Sequence, residues 1–364
     1  MPTFTVYRLV PPHSTATLAF HFGRQGIGLE ETSETLASDS LFAALVVQAA
    51  LSMAEVGDDG APAWVRPFMH GEPPLRHSSL LPVIGELPLL PRPLLPLRLA
   101  ETATVQAKQL KKLRYLSPEL FAAACRGEAL PATIIALQQG KVWLTEAEAR
   151  RLPTPWRPAA NESDEAWRKR LKVTPLWQIE ATPHVTLDRL SAASAYYEVG
   201  RVVFASAVGL HVLVAFHDPA AQPVFEQLLT LLGESGLGGK RSSGYGAFAW
   251  QRSVPLTLEL PGPHRHAVLL SRYLPTPDEL ALVRNPRSTY QLVSSSGWFL
   301  ATNGVTYRRQ TVMMVSEGSV LAISDGQLPR GHIIDVRPDN TVTHPIYRSG
   351  MALAVPVPEA AFES

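Results

Sequence analysis

An α+β fold is predicted, and three features of the 364-residue sequence predict it. The segment before residue 85 reads strand, loop, helix. The segment from His184 to about Leu258 reads strand, strand, helix, strand. Everything from about Pro255 onward is short and β-rich, with one weak helix. With the intervening stretch taken as an insertion, the order is β-α-β-β-α-β, the ferredoxin-like (RRM-like) pattern. The expected divisions are a first unit at 1–253, carrying an irregular insertion at about 85–178, and a degenerate second unit at 254–364.

The elements follow from local pattern. "TFTVYRLVP" alternates and is rich in β-formers, so it reads as a first strand, and "ATLAFHF" as a short extended piece. In "SDSLFAALVVQAALSM", Leu41, Leu45 and Ala49 share a helical face. Ser38 or Asp39 is the expected N-cap and Gly57 the expected stop. From Pro73 to Pro96 seven prolines interrupt an apolar run, which excludes one regular element. Two basic clusters follow, Lys108–Lys111–Lys112–Arg114 and "EAWRKRLKVTP". "GRVVF" and "LHVLVAF" read as strands. "AQPVFEQLLTLLGES" is amphipathic through Val224, Leu228 and Leu232, with Gly233 its expected end.

The totals exclude several classes. Hydrophobic residues make up 46% and the formal net charge is +1. A nucleic-acid partner would therefore be held by local patches, not by overall charge. A single cysteine, Cys125, rules out a disulfide framework or a cysteine-based zinc site within the chain and suits a reducing cytoplasm. The N-terminus lacks a signal-peptide pattern, and no run approaches ~20 apolar residues, so no membrane span is expected.

The most unusual stretch is "ESGLGGKRSSGYGAFAW", Glu234–Trp250, with five glycines, two adjacent cations and three serines. It is not a P-loop: Glu234 stands where the first glycine belongs, Arg241 where Ser or Thr would bind magnesium, and the helix precedes the loop. "GYGAFA" matches a dinucleotide fingerprint only by letters, since a strand follows it. Gly236, Gly238 and Gly239 suit a backbone nest for phosphate oxygens. Lys240 and Arg241 supply charge, and Ser242 and Ser243 supply donors. Tyr245 is either a base-stacking platform or a packed side chain. His264 and His266 make at best a weak metal pair. No nucleophile motif selects catalysis, so no catalytic residue, metal or cofactor is expected.

With these pieces placed, the chain resembles the RAMP superfamily of CRISPR effector complexes, and within it the fourth-subunit group of the type III-A Csm complex. "GLGGKRSSGYGAF" resembles the superfamily's glycine-rich loop and "SDSLFAALVVQA" the group's first helix. "TLDRLSAASAYYEVGRVVF", carrying Asp188 and Arg189, resembles its central segment, and "HPIYRSGMALAVPV" its C-terminal signature. The resemblance implies a non-enzymatic, crRNA-binding subunit that holds the 5′ repeat handle. It also implies docking on the large Cas10-like subunit and on a backbone RAMP subunit. The insertion is then a thumb that meets the duplex of guide and target RNA, with Lys108, Lys111, Lys112 and Arg114 along its backbone. Arg189, His184 and Tyr197 are further candidate RNA contacts, and Asp39 stays a helix cap. The alternative is a metal-free repeat-RNA endonuclease of the same superfamily, for which His13 and His21 would be the candidates.

Overall fold

The structure is a computed structural model that describes residues 1–13, 16–23, 28, 30–52, 60–101, 107–187, 194–300, 304–323, 326–338, 342 and 344–362. Gly57, Asp188 and Arg189 lie outside the described residues, as does the side chain of Lys108.

Strand β1 (Thr3–Val10) alternates in sequence, yet both of its faces are covered. Phe4 and Val6 point into one core, Tyr7 and Leu9 into another. A short β2 (Ala19–Phe20) follows, then α1 (Ser38–Ser52) and α2 (Arg66–Met69). The proline-rich stretch is broken into β3 (Leu75–His77), β4 (Leu81–Ile84), β5 (Leu87–Pro88) and β6 (Leu90–Pro91), none longer than four residues. Further on come β7 (Tyr115–Leu116), α3 (Pro118–Cys125), β8 (Ile134–Leu137), β9 (Val142–Thr145), α4 (Glu146–Arg150) and α5 (Asp164–Val173). Next are β10 (Trp177–Leu187), β11 (Ser194–Phe204), β12 (Val208–Phe216), α6 (Ala221–Ser235) and β13 (Ala249–Thr257).

The main sheet runs β13-β1-β12-β4-β5, with β3 also on β12, and its pairs are antiparallel. Taking β3 and β4 as one interrupted strand, the spatial order is fourth, first, third, second. β12 is buried along its first seven residues, as expected of "VGLHVLVAF" in a sheet covered on both sides. One face is packed by α1 and α6: Leu41, Phe42 and Leu45 meet Phe225, Leu228 and Leu232 in a core shared with Tyr7, Leu9 and Val212. β13 runs to Thr257, so it crosses the division expected at 253/254.

Two expectations change here. The insertion is not irregular: β6-β7-β9-β8 form a sheet of its own. Trp143, Phe121 and Leu116 pack with Phe4, Val6 and Leu213 on the second face of the main sheet. Burial of this apolar surface, at about 25 cal/mol per Å², outweighs the interruptions that prolines impose. Gly233 lies inside α6 and not at its end. A Cβ there would meet the Phe248 carbonyl oxygen at 2.3 Å, so the glycine lets β13 approach the helix, and Gly236 (φ 80°) ends α6 instead.

The C-terminal part holds β14 (His264–Leu269), one short helix α7 (Leu280–Arg284), β15 (Leu292–Ser295), β16 (Trp298–Leu300), β17 (Thr306–Arg308) and β18 (Val312–Val315). It ends with β19 (Val320–Ala322), β20 (Ile333–Asp335), β21 (Tyr347–Ser349) and β22 (Ala354–Pro358). A three-stranded sheet, β19-β14-β22, covers part of the second face, and three two-stranded pairs surround it. No helix among the described residues is long and apolar enough to cross a membrane.

Candidate nucleic-acid interface

The glycine-rich loop begins where α6 ends and is stitched at both sides. Leu237 N–H donates to the Gly246 carbonyl at 2.9 Å, which closes it. Gly246 N–H donates to the Ala19 carbonyl and Gly239 N–H to that of His21, both at 2.9 Å, which fastens it along β2 and the residue after it. The approach is close. A Cβ on Gly238, at φ 92°, would stand 2.7 Å from the His21 oxygen, and one on Gly239 2.8 Å from the His21 ring. These glycines therefore serve backbone contact with Ala19–His21. The expected nest of amides changes accordingly, since the Gly239 N–H is already used and Gly236 is buried.

What the loop presents outward is Arg241–Gly244, a single 3-10 turn between left-handed Lys240 (φ 57°) and Gly244 (φ 84°). Arg241, Ser242 and Ser243 are exposed. They border a shallow depression of about 600 Å³ together with Ser235, Gly238, Gly239 and Lys240. The Lys240 ammonium sits 5.1 Å over the ring of Tyr197, and that ring stacks on His184 at 5.4 Å and 20°. Tyr197 and His184 are direct cross-strand partners on the β10–β11 hairpin. Three residues that the sequence offers separately are thus brought into one row. His184 Nε2 has no partner among the described residues.

Tyr245 is corrected. Its side chain is buried, and the Arg201 guanidinium, itself paired with Glu180 at 2.8 Å, lies 5.8 Å from its ring. An occupied face leaves no room for base stacking, so Tyr245 is a support beneath the loop. His21 is likewise buried, with Nδ1 2.7 Å from the Gly200 carbonyl, whereas His13 is exposed.

Asp39 is not a cap. It lies in the first turn of α1 and its carboxylate is 3.1 Å from Arg348 on β21, both side chains being buried. Ser295 also donates to it, and Arg348 donates to Ser40 at 2.8 Å. The helix is instead held by the Ser38 N–H, which donates to Ser79 at 2.8 Å. Burial beside Arg348 pushes the Arg309 guanidinium down to about 10.

The basic cluster after residue 107 does not sit on a projecting element. Lys111, Lys112 and Arg114 lie on or beside a 3-10 turn (Ala107–Lys111) that Leu113 anchors to the insertion's core. Arg114 lines a cleft of about 860 Å³ where the main sheet, the insertion and the C-terminal part meet, opposite Arg272, Arg308 and Glu317. The long projecting element is the β10–β11 hairpin, eleven residues a side; among the described residues its strand pairing with the rest is with Ala19 and Phe20 at its foot. Val199 and Val202 at the foot are buried, while Val185 and Tyr196 farther out are 60% and 65% exposed.

His266 is buried against Phe362, and among the described residues no group of three ligating side chains could hold a metal ion. Burial pushes the Cys125 thiol up, out of the reactive range.

Residues 263–357 match the CRISPR Csm4 C-terminal domain. The chain is 28% identical over 348 residues to the CRISPR system Cms protein Csm4 of Mycobacterium tuberculosis, covering 94% of this chain and 95% of that protein. It is 32% identical over 169 residues to the Csm4 protein of Streptococcus thermophilus, covering 44% and 53%. In fold it is similar to a chain of the crystal structure of a Csm3–Csm4 subcomplex of the type III-A CRISPR–Cas interference complex. That likeness has a TM-score of 0.60 at 16% identity and covers 97% and 99% of the two chains. A chain of a Csm1–Csm4 cassette crystallised with cA4 gives 0.54 at 17% identity, covering 98% of each.

Proposed function

We propose that this chain, which is of the Csm4 type of type III CRISPR–Cas complexes, is the non-catalytic subunit that holds the 5′ handle of the crRNA. The observation that carries the reading is the row Lys240–Tyr197–His184 beside the exposed turn Arg241–Ser243. It joins phosphate-neutralising charge, hydroxyl donors and an aromatic face, which is the combination a splayed single strand needs.

Both units are read as ferredoxin-like. The fourth-first-third-second order under α1 and α6 supports this for the first. The second keeps a three-stranded sheet and a single short helix as its degenerate form. The β10–β11 hairpin takes the thumb role against guide and target RNA. Relatives of this fold occur in assemblies named for Csm1 and Csm3, which supports docking on a large Cas10-like subunit and on a backbone RAMP subunit.

The test is a salt titration of handle-RNA binding by the full chain. Each lost phosphate contact on a single strand lowers the slope by about 0.7, so Lys240→Ala with Arg241→Ala should weaken binding and flatten the slope by about 1.4. A folded double variant that binds like the parent would refute the assignment.

A further inference from the structure

Resting on that reading but at a different surface, the structure joins the two basic clusters of the insertion. Tyr115 N–H and Arg114 N–H both donate to the Lys141 carbonyl, at 2.9 and 2.8 Å, so the end of the first cluster lies beside Lys141, just ahead of β9. α5 packs on β8 through Trp167 and Leu171, which carries Lys172 to the same side. Two depressions, of about 380 and 500 Å³, adjoin here and share Gln139 and Lys172. Lys112 borders the first and Lys141 the second.

Three features mark this groove as an anion site and not merely a solvated face. No Asp or Glu lines either depression. Of the cations that line them, Arg168 has a carboxylate partner, Glu146, at 2.9 Å. Lys112, Lys141 and Lys172 have none among the described residues. Lastly, the turn between the depressions is held in a strained form. Gln138 and Gln139 have φ of 49° and 57°, which costs of order 1–3 kcal/mol at each non-glycine residue. Gln138 is locked there by its amide, which donates to the Trp177 carbonyl and accepts from Leu176 N–H, both at 2.8 Å. Gln139 is thereby left exposed at the joint of the groove. Lys172 also suits the C-terminal end of α5, but helix electrostatics do not account for Lys112 or Lys141.

We infer that this groove binds the sugar–phosphate backbone of RNA beyond the handle, at the foot of the β10–β11 hairpin, whose Trp177, Gln178 and Ile179 complete its wall. Cations without carboxylates and neutral amide donors match phosphate and ribose oxygens, and they read no base sequence. The handle loop and this groove are then two separate contact regions on one RNA path.

The experiment uses the full chain and RNA lacking the handle, as a poly(U) single strand and as a perfect duplex. Lys112→Ala, Lys141→Ala and Lys172→Ala together should flatten the salt slope for the single strand by about 2, at about 0.7 per contact. Binding of isolated handle RNA should remain as in the parent. A larger loss on the duplex than on poly(U) assigns the groove to the paired region, and the reverse to the unpaired guide. The proposal is overturned if the parent does not bind handle-less RNA, or if the folded triple variant binds both forms with an unchanged slope. It is equally overturned if only binding of poly-glutamate is lost, which would make the groove a site for an acidic protein. The Lys240/Arg241 variant, measured on handle RNA, fails or succeeds independently of all three outcomes.

Discussion

The carboxylate of Asp39 lies 3.1 Å from the guanidinium of Arg348, and this buried pair ties the first turn of α1 to β21 across the two halves of the chain. Breaking a buried pair by removing one partner leaves the other charge uncompensated and costs about 3–5 kcal/mol. The repulsion between Arg348 and Arg309 would no longer be offset. Asp39→Ala should therefore lower the unfolding midpoint sharply in chemical denaturation. Asp39→Ala with Arg348→Met should recover most of the loss. A single variant as stable as the parent would mean that packing alone joins the halves.

Gly238 meets the His21 carbonyl so closely that no side chain fits without moving the loop. Gly238→Val should weaken handle binding at least tenfold while keeping more of the salt slope than the Lys240/Arg241 double alanine variant. Far-ultraviolet circular dichroism should be unchanged, because the loop contributes little core. Parent-like affinity in a folded variant would show that the loop's shape is irrelevant to binding.

The insertion carries its own sheet and buries it in a core shared with the main sheet, so residues 113–145 should resist limited proteolysis in the isolated chain. Trypsin is a suitable probe, since Arg114, Arg126 and Lys141 lie in this span. Early cleavage at those three sites, seen by mass spectrometry, would contradict a folded insertion.

His211 is buried in β12 with Nε2 3.0 Å from the Leu89 carbonyl, and burial pushes its imidazolium down to about 4. An unfolded histidine takes up its proton near 6.5. The unfolded state thus binds more protons between these values. The contribution is complete above about pH 6.5 and is lost as the pH falls toward about 4, by up to about 3 kcal/mol. His77, lowered by the same burial, acts in the same direction. Denaturation of parent and His211→Gln chains across that window should give a shallower loss in the variant. Parallel curves would exclude His211 as a source of the acid sensitivity.

Much of this was legible in the sequence because it is local. The alternation in "TFTVYRLV" gives β1, the helical period in "AQPVFEQLLTLLGES" gives α6, and the composition of Gly236–Tyr245 picks out the loop. Each is encoded in residues a few positions apart. The order of the insertion is not legible in the same way, because its prolines forbid long elements and it is built from two- to four-residue strands that gain stability only when assembled.

The sequence by itself determined the α+β element order, the proline-broken stretch and the identity of the loop's charged and hydroxyl groups. Only the tertiary structure decided which of them work together. Tyr245 is buried under Arg201, while Lys240 finds Tyr197 and His184 on a hairpin that precedes it in the chain. Asp39 finds Arg348 near the opposite end of the chain, and Lys112, Lys141 and Lys172 gather from three segments. The reason is physical. Backbone periodicity is set by neighbours along the chain. Charge pairing, ring stacking and burial are set by neighbours in space, and which strands become neighbours is settled by how distant segments bury their apolar faces together.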